Sequence, residues 1–338
     1  MMENSCAVIL AAGEGKRMKS KSPKVLSEVL FKPMLGWVID AVSASNIKDI
    51  CVISGFKHEE VEEYLSNNYS FCKNALQLER KGTAHAVKMA ENFLNIHKGK
   101  DVLILNGDAP FISPKTIEDA YNMHKSQKNA ATVVSARLDN PFGYGRIVRN
   151  KLSGKVEAIV EQKDANEDIQ KINEVNSGAY WFNVDSLLSV LDDISNDNAQ
   201  GEYYLPDALK LLLKRNNDID AFVAQSQELV LGANDCFQLY ELNQIARSNI
   251  IKKFMDKGIK IPCHDGIIIG PDVSIGEGST ILSGSIISGA TSIGNNCIVG
   301  PNSYIVDSTV GSNVKLNCVS IEKAYINDNE GVKPFTCL

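Results

Sequence analysis

A strict six-residue period in the C-terminal part of the sequence constrains the fold more than any other feature. Neither an α-helix nor a β-hairpin repeats at this interval. Hexapeptide repeats build a left-handed parallel β-helix, in which each hexapeptide forms one side of a triangular coil and its aliphatic side chain points inward. Seven aliphatic residues follow the period without a miss: Ile269, Ile275, Ile281, Ile287, Ile293, Val299 and Ile305.

Small side chains occupy a second position of the same repeat, where the β-helix turns its corners. After Val310 the period slips by one residue, and the pattern fades towards Asp328. Because a solenoid leaves its ends uncovered unless other groups cap them, we expect other copies of the chain to cover the open end or a flank. The small residues are Val273, Ser279, Ser285, Thr291, Cys297 and Ser303.

Short apolar runs alternate with longer amphipathic runs in the sequence before the repeat. This alternation predicts an α/β domain with a Rossmann-like, doubly wound mixed sheet. We assign that domain to residues 1–228, a helical linker with its helix at 237–258 to residues 229–262, and a partial β-helix to residues 263–338. The predicted strands are residues 7–10, 50–54, 102–106, 131–136 and 179–183, and the predicted helices are residues 35–42, 59–65, 84–93 and 115–124.

Three predicted strands end in loops where a doubly wound sheet binds its ligands, after Leu10, Asn106 and Phe182. In the second of these loops, Gly107 and Asp108 follow Asn106. A carboxylate at this edge is placed to hold Mg²⁺, which prefers one or two carboxylate or amide oxygens together with phosphates and waters. A helix cap or an Asx-turn is the alternative role of such an aspartate.

The loop after the first predicted strand has the composition of a phosphate-binding turn. Gly13 and Gly15 allow the backbone to turn tightly and to present N–H groups to phosphate oxygens, while Arg17 and Lys24 supply the positive charge that a triphosphate requires. Met18 stands where a dinucleotide fingerprint has its third glycine, and the spacing of a P-loop is also absent. A plain strand-to-helix connection is the alternative, which the two cations disfavour.

These motifs together resemble the family of bacterial bifunctional N-acetylglucosamine-1-phosphate uridyltransferase and glucosamine-1-phosphate acetyltransferase. The resemblance covers essentially the whole chain. It also includes segments that carry no signal by themselves: Gln77 with residues 82–86, and residues 143–147, 161–164, 176–178, 198–204 and 232–235.

The resemblance implies a Mg²⁺-dependent enzyme that makes UDP-N-acetylglucosamine, a cell-wall precursor, from UTP and N-acetylglucosamine 1-phosphate, as a homotrimer through the β-helix. Arg17 and Lys24 would be catalytic, and Asp108 and Asn234 would hold the metal. The implied binding residues are Leu10, Ala11, Ala12 and Gly13 around the nucleotide, Gln77, Gly82 and Thr83 at the uracil, Gly145, Glu161 and Asn176 at the sugar, and Lys24, Asn106, Gly107, Asp108 and Asn234 to complete the set.

Several of these positions also admit plainer roles. Asn176 and Asn234 are typical turn residues, and Glu161 is also a candidate for a solvated surface charge. We interpret His85 as structural within its helix, and Tyr203 and Tyr204 as packing residues. Three other functions stay open for the chain as a whole. It could be a pyrophosphorylase for a different sugar phosphate, a non-catalytic subunit of the same fold or, more distantly, a hydride-transferring enzyme.

The sequence departs from the family in two motifs and in its length. Lys16 and Ala84 stand where the family has Thr and Gly, and neither change removes a charge or a predicted metal ligand. The β-helix of the family continues beyond the equivalent of Leu338 and carries the acetyl-transfer groups there. We therefore expect no acetyltransferase activity in this chain.

Composition excludes several other classes of protein. The formal net charge of −6 argues against a nucleic acid or an anionic membrane as the main partner. The eight cysteines form no Cys-x-x-Cys pair, as expected of reduced thiols, and no apolar stretch approaches the length of a transmembrane helix. We therefore expect a cytoplasmic protein.

Overall fold

The structure, a computed structural model, describes residues 2–198 and 200–338, so Ala199 of the motif at residues 198–204 lies outside the described residues. The chain divides into two compact units. The first comprises Met1–Ser27 and Met34–Asp235, and the second comprises Glu28–Pro33 and Cys236–Leu338. Among the described helices, none combines the length and apolar character needed to cross a membrane.

Strands and helices alternate through the first unit. The strands before residue 230 are β1 Ser5–Ala11, β2 Glu28–Val29, β3 Lys32–Pro33, β4 Asp49–Ser54, β5 Lys73–Leu76, β6 Asp101–Asn106, β7 Ala131–Arg137, β8 Arg146–Arg149, β9 Val156–Val160, β10 Glu174–Asn183 and β11 Ile219–Val223. The α-helices of the chain are α1 Met34–Ala44, α2 His58–Asn68, α3 Thr83–Met89, α4 Glu91–Ile96, α5 Pro114–Ser126, α6 Glu167–Gln170, α7 Val184–Leu191, α8 Leu205–Lys214 and α9 Cys236–Asp256.

A mixed sheet with the strand order β11-β7-β10-β6-β1-β4-β5 forms the centre of the first unit. Strand β1 lies between β4 and β6 and is parallel to both. Its side chains alternate between two buried clusters, with Ala7 and Ile9 in one and Cys6 and Val8 in the other. Burial on both faces explains why the strand is a continuous apolar run. The predicted doubly wound mixed sheet is confirmed.

Strand β10 runs opposite to its neighbours, and this corrects one expectation. Asn183, at the end of β10, pairs with Asp101 at the start of β6, whereas Asn176 near its beginning pairs with Ser135 of β7. The loop after Phe182 therefore lies at the edge away from the carboxyl ends of the parallel strands. An apolar run does not encode the direction of its strand, so the ligand-facing end of β10 is its first half.

The helix predicted at residues 84–93 is two helices, α3 and α4. At Ala90 the backbone has φ −89° and ψ 11°, and the Ala90 N–H bonds to the carbonyl of Val87 instead of continuing the α-helical pattern. Phe93 and Leu94 then pack into the same cluster as Val87. The other predicted helices are confirmed, with ends that differ by a few residues.

The C-terminal repeat folds as the predicted parallel β-helix. Six of the seven aliphatic residues are buried, Ile275 being half-buried, and the small corner residues are buried as well. The short strands stack into parallel sheets, one on each side of the coil. They are β12 Ile268–Ile269, β13 Ser274–Ile275, β14 Thr280–Ile281, β15 Ile286–Ser288, β16 Ser292–Ile293, β17 Ile298–Val299, β18 Tyr304–Val306, β19 Thr309–Val310, β20 Lys315–Leu316, β21 Ser320–Glu322 and β22 Tyr325–Ile326.

The β-helix continues where the sequence pattern fades, because its coils become shorter. Ile287 pairs with Ile305, 18 residues later, but Ile305 pairs with Ile321, only 16 residues later. Asp307 and Cys318, with φ of 47° and 51°, lie in the two corners that each lose a residue. Leu316, Ile321 and Ile326 are buried inside these shorter coils, which a fixed six-residue period does not detect.

A hairpin from the N-terminal part of the sequence belongs to the second unit. Strands β2 and β3 pair within Glu28–Pro33, and the Leu30 N–H donates to Asn243 Oδ1 of α9 over 2.9 Å. Lys32 forms an ion pair with Asp272 at 2.7 Å. This arrangement is not predicted from the sequence, since a two-residue strand carries no periodicity.

Candidate functional site

Two adjoining cavities lie in the first unit, at the edge where β1 and β6 end. The larger, of about 670 Å³, is lined by charged groups that include Arg17, Lys24 and Asp108, and we call it the charged cavity. The smaller, of about 440 Å³, is lined by several side-chain amides together with the half-buried carboxylate of Glu161 and the charged groups of Lys163 and Asp164, and we call it the amide cavity. Leu10, Thr83 and Asn106 line both cavities, so the two spaces meet at these residues.

The glycine-rich loop forms one wall of the charged cavity and is held by close backbone contacts. The Ala12 carbonyl accepts from the N–H of Phe56 over 3.2 Å. At Gly55 a Cβ would lie 2.7 Å from Ala12 Cβ, so only glycine allows this approach. Gly15 has φ 64° and lies against the stem of Lys24. These contacts hold the loop along the cavity wall.

Lys24, Asp108 and Asn234 converge at the floor of the charged cavity. The Lys24 ammonium is 2.5 Å from Asp108 Oδ2 and 2.8 Å from Asn234 Oδ1. The Lys24 side chain is only 11% exposed, so this contact is shielded from water. One cationic group thus contacts a carboxylate oxygen and an amide oxygen that are far apart in the sequence.

This oxygen pair has the chemistry of a partial Mg²⁺ site. The described residues contain no group of three or more His, Cys, Asp or Glu side chains that could hold a metal by themselves. Mg²⁺ differs from metals that need such a group, because it usually takes one or two protein oxygens and completes its shell with waters and substrate phosphates. Asp108 and Asn234 already share one cationic neighbour, the ammonium of Lys24. The donor set therefore fits Mg²⁺ bound together with a phosphorylated substrate.

Gln77, Gly82 and Thr83 also line the charged cavity. Gln77 follows β5 and is almost fully buried, and its Nε2 donates to the Gly82 carbonyl over 3.1 Å. Gly82 has φ 105°, and a Cβ there would lie 2.5 Å from the carbonyl oxygen of Tyr203. Thr83 begins α3, and its hydroxyl accepts from the N–H of Leu205 over 2.9 Å.

Asn176 and Glu161 face the amide cavity. Asn176 Nδ2 donates to the hydroxyl of buried Tyr180 over 2.7 Å, and Asn176 Oδ1 accepts from the Gly178 N–H over 3.0 Å. Burial raises the pKa of Glu161, and the nearby carboxylate of Asp164 raises it further. The amide cavity thus offers a fixed amide and a carboxylate that takes up a proton more readily than usual.

A buried arginine that sequence reasoning did not assign to the site holds the wall of the amide cavity. Arg146 is only 1% exposed, and its guanidinium donates to the carbonyl of Tyr144 and, over 2.8 Å, to Gln162 Oε1. Gln162 Oε1 also accepts from the Gly143 N–H over 3.0 Å. Gln162 and Gly143 both line the cavity. The Gly-Tyr-Gly-Arg motif was visible in the sequence, but nothing in it indicated burial.

The structure places most of the predicted residues on the cavity walls. Ala11, Gly107 and Gly145 do not line either cavity, because all three lie behind the walls. Gly107 donates its N–H to the carbonyl of Leu10 over 2.9 Å, which joins the loops after β6 and β1. The Gly145 carbonyl accepts from the Asn176 N–H over 2.9 Å. These glycines and Ala11 support the loops that carry the lining residues.

Arg80, Glu14 and Glu202 also line the charged cavity and were not predicted as site residues. Arg80 forms an ion pair with Glu14 at 3.0 Å and lies over the ring of Phe56. A signal for Arg80 existed in its position between Gln77 and Gly82, two residues that the family resemblance placed at the uracil. A lone surface arginine does not otherwise indicate a site.

Comparison with protein families gives two matches along the chain. A family model described as nucleotidyl transferase matches residues 6–254. A second model, described as bacterial transferase hexapeptide (six repeats), matches residues 272–307. The first match covers the unit that contains both cavities, and the second lies within the β-helix.

Curated relatives match almost the whole chain. The bifunctional protein GlmU of Caldanaerobacter subterraneus subsp. tengcongensis is 42% identical over 334 residues, covering 99% of this chain and 72% of the relative. The bifunctional protein GlmU of Clostridium beijerinckii is 44% identical over 331 residues, covering 98% of this chain and 71% of the relative.

A solved structure described as that of a glucose-1-phosphate thymidylyltransferase from Bacillus anthracis, in complex with sucrose, also matches. The TM-score is 0.61 at 22% identity, and the match covers 72% of this chain and 95% of the other. At this level of identity the likeness concerns the fold alone.

Proposed function

The chain belongs to the nucleotidyl transferase family together with the bifunctional GlmU proteins, and we propose that it joins UTP to N-acetylglucosamine 1-phosphate with release of pyrophosphate. Membership confirms the resemblance seen in the sequence and the prediction of a nucleotidyltransferase. The identity of both substrates is the proposal. The observation that supports this proposal most directly is the convergence of Lys24, Asp108 and Asn234 beside a glycine-rich loop.

The reaction needs an in-line displacement at one phosphorus atom. A phosphate oxygen of the sugar phosphate attacks the α-phosphorus of UTP and forms the new P–O bond. The bond from the α-phosphorus to the bridging oxygen breaks, and pyrophosphate leaves with the electron pair. Because the attacking oxygen is already an anion, no general base is required, and positioning and charge neutralisation supply the catalysis.

The charged cavity supplies these two contributions. The backbone of Leu10, Ala12 and Gly13 lies along the triphosphate in our proposal, and Arg17 and Lys24 neutralise the charge that develops on its oxygens. Asp108 and Asn234 would hold Mg²⁺, which when bound offsets the negative charge of the phosphates. Lys24 is pre-positioned for this task, because its ammonium is already held among oxygen atoms of the cavity floor.

The amide cavity fits an N-acetylated sugar. Asn176 and Glu161 present hydrogen-bonding groups to a half-enclosed space, and such groups suit sugar hydroxyls and an acetamido group. The cavity adjoins the charged cavity at Leu10, Thr83 and Asn106, so a sugar phosphate bound there reaches the nucleotide. This continuity supports two substrates that meet at one phosphorus atom.

A pyrophosphate-release assay with UTP, Mg²⁺ and N-acetylglucosamine 1-phosphate tests the proposal. We expect pyrophosphate in equal amount with UDP-N-acetylglucosamine, identified by mass spectrometry. Parallel reactions with glucose 1-phosphate and with dTTP test the alternative substrates. Faster turnover of either would overturn the substrate assignment, and no turnover of any pair would favour a non-catalytic subunit.

We also propose that the chain assembles as a homotrimer through its β-helix. The support is the hexapeptide repeat, whose outer faces carry exposed Tyr304 and Tyr325. Sedimentation equilibrium tests this proposal, and the mass of a single chain would overturn it.

A further inference from the structure

His85 contacts the side chain of Gln77 in a way that fixes what Gln77 presents to a ligand. Gln77 Nε2 lies 3.1 Å from the Gly82 carbonyl oxygen and 2.9 Å from His85 Nδ1. Gln77 is only 3% exposed, yet it lines the charged cavity. A buried amide with two close neighbours on its nitrogen has little freedom to rotate.

The partners of the amide determine its orientation. A backbone carbonyl can only accept a hydrogen bond, so the Gln77 atom beside Gly82 must be the NH₂ group. The reversed amide would place two oxygen atoms 3.1 Å apart. With one hydrogen given to Gly82, the other points to His85 Nδ1, which must then be an unprotonated acceptor. Gln77 Oε1 is the polar atom of the amide that remains for a ligand.

We propose that His85 is a positioning residue for nucleobase selection: it holds Gln77 so that Oε1 accepts a hydrogen bond from the ring N3–H of uracil. This inference rests on the proposed function, in which Gln77 meets the base. Uracil carries a hydrogen on N3, whereas the same position of cytosine is an acceptor. An oxygen held at that point attracts the first base and repels the second.

The surroundings of His85 keep its ring neutral. Burial lowers the pKa of His85, and the ammonium groups of Lys81 and Lys88 lower it further, while Glu79 opposes them. The ring also lies near that of Tyr203, with 6.4 Å between centroids. A separate cavity of about 410 Å³, lined by His85, Lys88 and Asp192 among others, gives solvent access to this side of α3. The proton on His85 therefore exchanges with the solution.

Substitutions at His85 separate positioning from general packing. His85→Phe keeps a ring and removes the acceptor, and His85→Asn restores an acceptor oxygen near the Nδ1 position. We expect His85→Phe to raise the KM for UTP about fivefold, the effect of one neutral hydrogen bond. The preference for UTP over CTP should fall by a similar factor, the KM for the sugar phosphate should not change, and His85→Asn should restore both values.

A pH series provides a second readout that packing alone would not produce. Protonated His85 donates from Nδ1 and repels the Gln77 NH₂ group, so the KM for UTP should rise as the pH falls through the lowered pKa of His85. The His85→Asn variant should lack this rise. Lys88→Gln is the matched control, because it removes the ion pair with Asp192 beside His85 without contacting Gln77. It should keep the UTP preference at a pH where His85 is neutral, and the rise in KM should begin at a higher pH because Lys88 no longer lowers the pKa of His85.

The outcomes distinguish the inference from the proposed function. Turnover of UTP by the unmodified protein is measured first, and its absence would overturn both. If UTP is used, unchanged base preference in a folded His85→Phe variant overturns the role of His85 alone. An equal rise in KM for both substrates, or a failure of His85→Asn to restore selectivity, also overturns it.

Discussion

The charged cavity and the amide cavity adjoin each other but are built in different ways. The charged cavity adds long exposed side chains, such as Arg17 and Arg80, to the shielded ammonium of Lys24. The amide cavity relies on groups that are fixed by hydrogen bonds to buried residues, such as Tyr180 and Arg146. Charge acts over several ångströms and tolerates movement, whereas hydrogen bonds to neutral groups are short and directional. Under the proposed function, this difference means that the phosphates are held mainly by charge and the sugar mainly by directional hydrogen bonds.

Removal of Arg17 should have the largest effect on this comparison. Arg17 is exposed and lines the charged cavity, so its loss should leave the fold intact. Loss of one preorganised group that meets developing charge costs about 3–4 kcal/mol, and we expect Arg17→Ala to lower kcat by roughly two to three orders of magnitude. The measurement is pyrophosphate release at saturating substrates. Near-normal release would show that Arg17 has no catalytic role.

Lys21→Ala provides the matched control for Arg17. Lys21 is exposed near the same loop but does not line the cavity. A comparable loss of turnover in this variant would mean that overall positive charge near the loop, and not the position of Arg17, governs the rate.

Removal of the Asn176 amide should have a smaller and more selective effect. Asn176→Ala removes the hydrogen bonds to Tyr180 and Gly178 and the group that faces the amide cavity. We expect the KM for N-acetylglucosamine 1-phosphate to rise roughly tenfold, since one polar group is left unpaired. The KM for UTP should stay unchanged. A rise in both values would contradict the division of labour between the cavities.

Sequence alone predicted the parts of the fold that carry a period or a motif. The seven aliphatic residues from Ile269 to Ile305 were sufficient for the β-helix, and the glycine-rich loop and Asp108 pointed to the ligand edge. The β-helix was assigned through residue 338, but the register of its shorter last coils was not predicted, because each lost corner residue resets the period. Such changes are visible only when successive coils are stacked.

Other features depend on tertiary contacts that no local pattern encodes. The direction of β10 follows from its pairing with β6, and the burial of Arg146 accompanies its hydrogen bonds to the Tyr144 carbonyl and to Gln162. Family resemblance named Gln77 as a base-contacting residue but could not show which amide atom faces the ligand. That orientation depends on the positions of Gly82 and His85.

The last test of the comparison, with the smallest expected effect, concerns Glu161, a half-buried carboxylate among the side-chain amides of the amide cavity. Burial raises the pKa of Glu161, so its charged form is disfavoured in the folded protein and its burial destabilises the fold at neutral pH. The folded state binds a proton at higher pH than the unfolded state, and this destabilisation therefore fades as the pH falls through the raised pKa.

We expect Glu161→Gln to raise the Tm slightly at pH 7 and to weaken binding of the sugar phosphate a few-fold, because the Gln amide keeps a neutral hydrogen bond and only the additional strength from the charge is lost. The two effects have opposite signs, because burial of the carboxylate lowers the stability of the fold while its hydrogen bond to a sugar hydroxyl strengthens binding.

Thermal unfolding across pH and the KM of both substrates are the measurements. In the unmodified protein the KM for the sugar phosphate should rise as Glu161 is protonated, whereas in the Gln variant this KM should not change with pH. Two results would contradict this role: a loss of stability of the Gln variant at pH 7, or a rise in its KM for UTP instead of its KM for the sugar phosphate. Either result would show that Glu161 acts as a structural charge and that sugar binding in the amide cavity does not depend on it.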